Sequence, residues 1–224
     1  MGNIKKGMSL RFLLPTCWRH GIGIVSEIGS ILKESGCEKP LIVTDAALVS
    51  LGVVEPVLQS LKAAGISFTV YDSVGREPTV GMFNDISARF DLKAFDSVIA
   101  VGGGSVIDMS KGLAVIGSFG GSITDYDGFD RFPRRPDMKI FAVPTTAGTG
   151  SEVSDGVVVI DEERSTKFVV ISDNIRPAVA LTDPEMTMSM PPKVTACTGI
   201  DALVHAIEAY LSTRANIWLL ICLH

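Results

Sequence analysis

Ser97-Val-Ile-Ala-Val-Gly-Gly-Gly-Ser-Val-Ile-Asp108 is the stretch on which the fold turns. Ser97 to Val101 is a β-branched run that reads as a buried strand; it ends in three glycines, and a helix containing Lys111 follows. Around it, from about residue 40 to 183, short β-branched runs alternate with longer helical stretches, the pattern of an α/β protein. Leu41 to Thr44 predicts a strand, Ala46 to Ala64 a helix, Ser67 to Tyr71 a second strand and Lys139 to Val143 another. Parallel strands joined by crossover helices are expected. Val157 to Ile160 and Lys167 to Ile171, joined by the polar Asp161 to Thr166, predict a hairpin that extends the sheet in antiparallel fashion. At Thr182-Asp183-Pro184 the β-branched runs stop, and after Ser189 and Pro191-Pro192 helix-forming sequence runs to Leu211. The expected division is an α/β domain over 1–183 and the beginning of an all-α domain over 184–224. About forty residues cannot close a helical core unaided, so the chain reads as cut short.

Composition narrows the function classes. The 224 residues are 46% hydrophobic and 20% charged, against a usual charged share of roughly 25%, which describes a well-buried globular chain. With 20 Lys plus Arg against 25 Asp plus Glu, the net charge is −5, and no basic block offers a footprint for nucleic acid. Cys17, Cys37, Cys197 and Cys222 lack CxxC spacing, so they predict reduced thiols, neither a disulfide framework nor a zinc ribbon. The longest apolar run, Ile217 to Leu223, is seven residues, far below the ~18 of a membrane span. No signal-peptide core follows Lys5-Lys6, and a cytoplasmic location is expected.

Three segments carry chemistry. Gly102-Gly-Gly-Ser-Val-Ile-Asp108 lets backbone approach a ligand at a helix N-terminus, which suits a pyrophosphate, although a tight strand-to-helix turn needing left-handed glycines explains it equally well. Ile107 stands where the Rossmann fingerprint wants its third glycine, and no GK[ST] is present for a Walker loop. Asp45 follows a strand, as a ribose-binding acid should, but lies 57 residues before Gly102, and it reads equally as a helix N-cap. Pro144-Thr-Thr-Ala-Gly-Thr-Gly-Ser-Glu152 sets hydroxyls and small residues after another strand, and two such loops at strand ends suggest a nucleotide crevice. Asp201 and His205 are four apart on one helix face, able to share a divalent ion or simply to hydrogen-bond each other. Neither His20 nor His224 evidently completes a metal site. Met186, Met188 and Met190 read as core or interdomain packing.

Together these segments, with Thr198-Gly-Ile-Asp-Ala-Leu-Val-His-Ala-Ile-Glu208 and Thr182-Asp-Pro-Glu185, resemble the iron-dependent (group III) alcohol dehydrogenases through about Asn216. The resemblance implies an NAD(P)-binding α/β domain, an α-helical domain and a divalent metal, usually Fe²⁺, between them. It implies Asp201 and His205 as the first two metal ligands, with two later histidines absent from this chain. It further implies that Asp45 lies near the adenosine ribose and Gly103, Gly104, Ser105 and Asp108 near the pyrophosphate, with Thr145, Thr146, Thr149 and Lys167 also at the cofactor. Glu77 departs from the pattern, standing where the family often has Asn. After Asn216 the tail Ile217 to His224 leaves the pattern too, and suggests a truncated or frameshifted end with an exposed apolar run.

The implied reaction is hydride transfer between a primary alcohol or diol, or its aldehyde or ketone, and a nicotinamide cofactor, with the metal as Lewis acid. Asp45 leans toward NAD over NADP, because a carboxylate repels a 2′-phosphate. Iron and zinc both stay open, as does assembly into a homo-oligomer; the partners expected are a small alcohol or aldehyde, with no nucleic acid and no membrane. The alternatives are a catalytically inactive NAD-binding fragment, and a relative of the zinc enzymes glycerol dehydrogenase and dehydroquinate synthase.

Overall fold

A computed structural model of the chain describes residues 15–75 and 77–212. Cys222, His224 and the apolar tail therefore lie outside the described residues. The strands are β1 (Cys17–His20), β2 (Pro40–Val43), β3 (Thr69–Tyr71), β4 (Ser97–Gly102), β5 (Gly128–Phe129), β6 (Lys139–Pro144), β7 (Gly156–Asp161), β8 (Thr166–Ile171) and β9 (Val179–Thr182). The α-helices are α1 (Ile28–Glu34), α2 (Ala46–Ser50), α3 (Glu55–Ala63), α4 (Val80–Arg89), α5 (Gly104–Phe119) and α6 (Pro192–Leu211).

Six strands form one parallel sheet in the order β1-β9-β6-β4-β2-β3. Side chains alternate across its faces, and both faces are covered. Leu41, Val43, Val98, Ala100, Ile140 and Ala142 pack toward α4 and α5, while Ile42, Ile99, Val101, Phe141 and Val143 pack toward α1 and α3. Burial on both sides is why these strands read as unbroken apolar runs.

Two expectations need correction. The 157–171 hairpin does pair antiparallel, Val157 opposite Val170, but β7 and β8 do not extend the main sheet. They form a second sheet with β5, which pairs parallel to β8, and Val157, Val159 and Val170 pack on the α4–α5 face of the main sheet. The helix expected over 46–64 is two helices, because Gly52 adopts a left-handed φ of 71° between α2 and α3. The short strands β1, β5 and β9 and the helices α1 and α4 complete the unit beyond the elements expected from sequence.

β9 sits between β1 and β6, so the last strand of the sheet lies inside it. Past β9 every described element is helical. Asp183 turns the chain there: its buried carboxylate accepts from the Val25 amide (3.2 Å) and the Glu185 amide (3.0 Å). Of the three methionines, Met186 is in the core and Met190 is half-buried, but Met188 is exposed. Core packing does not hold for Met188, because the turn that buries Met186 points the residue two positions on into solvent.

Candidate functional site

The sheet places the site. The chain passes from β2 outward to β3, then returns across β2 to β4, so the direction of sheet growth reverses between β2 and β4. Connections leave neighbouring parallel strands on opposite sides at such a point, and a crevice opens at their carboxyl ends. Val43 pairs with Ala100, so Asp45 and the glycines after β4 emerge side by side despite their separation in sequence. The loop after β6 emerges next to them, Gly102 being opposite Pro144.

A cleft of about 1150 Å³ opens there. Asp45, Gly103, Gly104, Ser105, Asp108, Thr145, Thr146, Thr149, Lys167, Asp201 and His205 all line it. Every site residue expected from sequence is thus brought to one cavity. α6 forms a wall: Val194, Thr198, Asp201 and His205, spaced four, three and four residues apart, are the helical stripe that faces the cleft.

The glycines after β4 serve close approach. None of Gly102, Gly103 and Gly104 has a positive φ, so the left-handed turn considered from sequence is not the reason for them. A Cβ on Gly104 would lie 2.9 Å from Thr149 Oγ1, and one on Gly102 would lie 2.5 Å from a Val106 methyl. The loop after β6 therefore packs directly on the start of α5, whose first amides have no side-chain cap. On the far side of that loop, a Cβ on Gly148 would meet the Thr198 carbonyl at 2.8 Å, so the loop also abuts α6.

Asp45 caps a helix and faces the cleft at once. Its Oδ1 accepts from the Leu48 amide at 2.9 Å as the N-cap of α2, and the residue also lines the cleft. Capping does not exclude a ligand, because a carboxylate accepts several hydrogen bonds. Lys167 Nζ bonds Glu77, 3.0 Å from Oε1 and 2.9 Å from Oε2, and both residues line the cleft.

His205 Nε2 lies 3.8 Å from Asp201 Oδ1, beyond hydrogen-bond distance, while Asp201 Oδ2 is buried with no partner. An orphaned carboxylate oxygen beside an imidazole nitrogen fits the first two ligands of a divalent ion better than a mutual hydrogen bond. No group of three or more His, Cys, Asp and Glu able to hold an ion occurs among the described residues. His20 is elsewhere, its ring Nδ1 3.0 Å from Thr182 Oγ1.

Sequence reading passed over Lys111. It is fully buried in α5, and its ammonium donates to Ser151 Oγ (3.0 Å), Ser154 Oγ (2.9 Å) and the Gly156 carbonyl (3.0 Å). Asp108 Oδ1 lies 3.5 Å away. Burial pulls the Lys111 pKa down to about 8, with Asp108 the chief opposing influence. Lys111 with Ser151 and Ser154, two and five residues past Thr149, was the available signal, but a lysine in a helix ordinarily reads as solvent-facing.

Residues 15–184 match the family described as iron-containing alcohol dehydrogenase. The chain is 42% identical over 203 residues to choline dehydrogenase of Bacillus subtilis, covering 89% of this chain and 50% of that protein. It is 37% identical to the solved alcohol dehydrogenase from Oenococcus oeni, with a TM-score of 0.88 over 94% of this chain and 55% of that one. Sulfoacetaldehyde reductase from Bifidobacterium kashiwanohense, solved in complex with NAD⁺, is 36% identical with a TM-score of 0.84, over 92% of this chain and 54% of that one. The chain spans about half the length of the curated relatives it matches. With residues 15–184 matched by the family and relatives 36–42% identical over about nine-tenths of its length, the chain belongs to the iron-containing alcohol dehydrogenase family.

Proposed function

We propose that the cleft binds a nicotinamide dinucleotide, NAD in preference to NADP, and that the activity it serves is metal-dependent hydride transfer between a primary alcohol or diol and its carbonyl form. The convergence of three strand-end loops and one face of α6 on a single cavity carries this reading. In it, the amides at the start of α5 and the small-residue approach at Gly103 and Gly104 take the pyrophosphate, with Ser105 and Asp108 beside it. Asp45 accepts from a ribose hydroxyl; Thr145, Thr146, Thr149 and Lys167 donate to phosphate and ribose oxygens. Support comes from the NAD⁺-bound relative and from the alcohol and aldehyde enzymes in the family.

Asp201 and His205 would hold Fe²⁺ or Zn²⁺, the orphaned Asp201 Oδ2 being the observation that favours a cation there. When bound, such an ion supplies Lewis-acid polarisation of the alcohol oxygen. We place the domain boundary at 183/184, where the sheet ends and Asp183 caps the turn. A second reading is an NAD-binding chain without turnover, favoured by the lack of a third ligand among the described residues. A lyase reaction of the dehydroquinate synthase kind finds no support in the named relatives, which are dehydrogenases and a reductase.

The test is NAD⁺ binding by calorimetry, together with NAD⁺-dependent oxidation of small primary alcohols and diols after anaerobic Fe²⁺ addition. Turnover abolished by His205→Ala is the expected result for the dehydrogenase. Binding without turnover selects the second reading, and failure to bind any dinucleotide overturns both.

A further inference from the structure

Lys111 does not itself line the cleft, yet all four groups around its ammonium do: Asp108, Ser151, Ser154 and Gly156. The charge therefore sits one side chain behind the cleft wall. Asp108 is the exposed end of this arrangement. Its carboxylate accepts from Ser151 Oγ and from the Val158 amide at 3.1 Å, and it stands one turn into α5 from Gly104. Among the described residues the acids on the cleft wall are Asp45, Glu77, Asp108 and Asp201, and the lysine on that wall, Lys167, is held by Glu77. An anionic ligand entering here meets Asp108 as a neutral pair only while Lys111 carries its proton.

We propose that Lys111 is a positioning residue for the dinucleotide, cancelling the Asp108 charge at the pyrophosphate end of the cleft, and that dinucleotide binding is therefore coupled to proton uptake by Lys111. The inference rests on the dinucleotide reading of the cleft. The charged groups that act on Lys111 are Asp108 on its own helix and Glu152 and Asp155 from the segment between β6 and β7. Asp155 is itself paired with Arg176 at 2.9 Å, which leaves Asp108 as the dominant partner. Because burial already brings Lys111 to the edge of deprotonation near pH 8, a bound anion that favours the ammonium raises its pKa, and a proton is taken up. The sign follows. Affinity is full below about pH 8 and falls as the pH rises through the free and then the bound pKa.

The experiment is calorimetric titration of the full chain with NAD⁺ and with ADP-ribose, from pH 7 to 10, in buffers of differing ionisation enthalpy. A one-unit rise in the Lys111 pKa on binding corresponds to a fall of about tenfold in affinity across that range. Proton uptake is expected to peak between the free and bound pKa, with both ligands, since both contain the pyrophosphate. Lys111→Met should bind more weakly at pH 7, with no uptake and a flat profile. Lys111→Arg, charged throughout, should also abolish the uptake, and it decides the matter if the methionine variant does not fold. Binding with a flat profile and no uptake in the wild type overturns the proposal alone, as does undiminished uptake in either variant. No binding of either ligand at pH 7 overturns the dinucleotide reading and this inference with it.

Discussion

Glu77 and Lys167 meet across the cleft wall, each about half-exposed, and their pairing has a cost for an anionic ligand. Half-exposed ion pairs contribute about 0.2–1 kcal/mol, so the ligand must give up that much to take Lys167 for itself. Glu77→Gln should therefore tighten NAD⁺ binding by about two- to fivefold at low salt. The gain should shrink in high salt, which isothermal titration at two ionic strengths would check. Lys111 shows the opposite behaviour toward stability and toward ligand. In the unfolded chain it titrates near its usual 10.5, in the folded chain near 8. Between those values the unfolded state holds the proton and the native state has released it, so native stability rises with pH across that window, and below it this group adds no pH dependence. Burial raises the Cys37 thiol and the Tyr71 and Tyr126 hydroxyls, whose contributions run the other way. The Lys111 contribution, up to about 3 kcal/mol, is thus expected in the difference between wild type and Lys111→Met in urea melts at pH 7.5 and 10. That Gly104 and His205 line the cleft was legible in sequence because each sits in a motif, and Asp45 because it follows a strand. Lys111 was not, because only the packing of α5 on all sides turns an ordinary helical lysine into a buried one.

At the scale of elements, the contact between the start of α5 and the loop after β6 is built without spare room. Gly104→Ala sets a methyl 2.9 Å from Thr149 Oγ1, and overpacking of this kind costs about 1–3 kcal/mol. Part of that loss should be recovered in the double variant with Thr149→Ser, which removes a methyl group also crowded at 3.1 Å. Thermal denaturation of the two variants measures it. The strands β2, β4 and β6 were legible because their residues are apolar on both faces. β1 was not, since Cys17, Trp18 and His20 are exposed and Arg19 pairs with Glu27 and Glu34. β9 has only four residues and gains its identity from two neighbours that are distant in sequence. The same limit hid the second sheet: the hairpin pattern was plain, but its attachment to β5 and α5 is a tertiary choice.

Across the whole molecule, α6 stands apart from the packed layers. None of its residues is buried, and Ile200, Leu203, Val204, Ile207, Tyr210 and Leu211 expose a continuous apolar surface away from the cleft stripe. Exposed apolar area of this kind drives association. Leu203→Glu with Ile207→Glu should lower the apparent mass seen by light scattering at high concentration while leaving NAD⁺ affinity unchanged, since neither residue lines the cleft. No helix among the described residues is long and apolar enough to cross a membrane. The sheet imposes a different constraint, one of time. Of the six strands in the main sheet β9 is the last to be translated, yet it is the one that joins β1 to β6. While the chain emerges from the ribosome, β6 keeps an open edge and β1 has no neighbour until residue 182 has been made. The nascent chain must carry an unfinished sheet until β9 has emerged, which makes that interval the window for chaperone capture or mispairing.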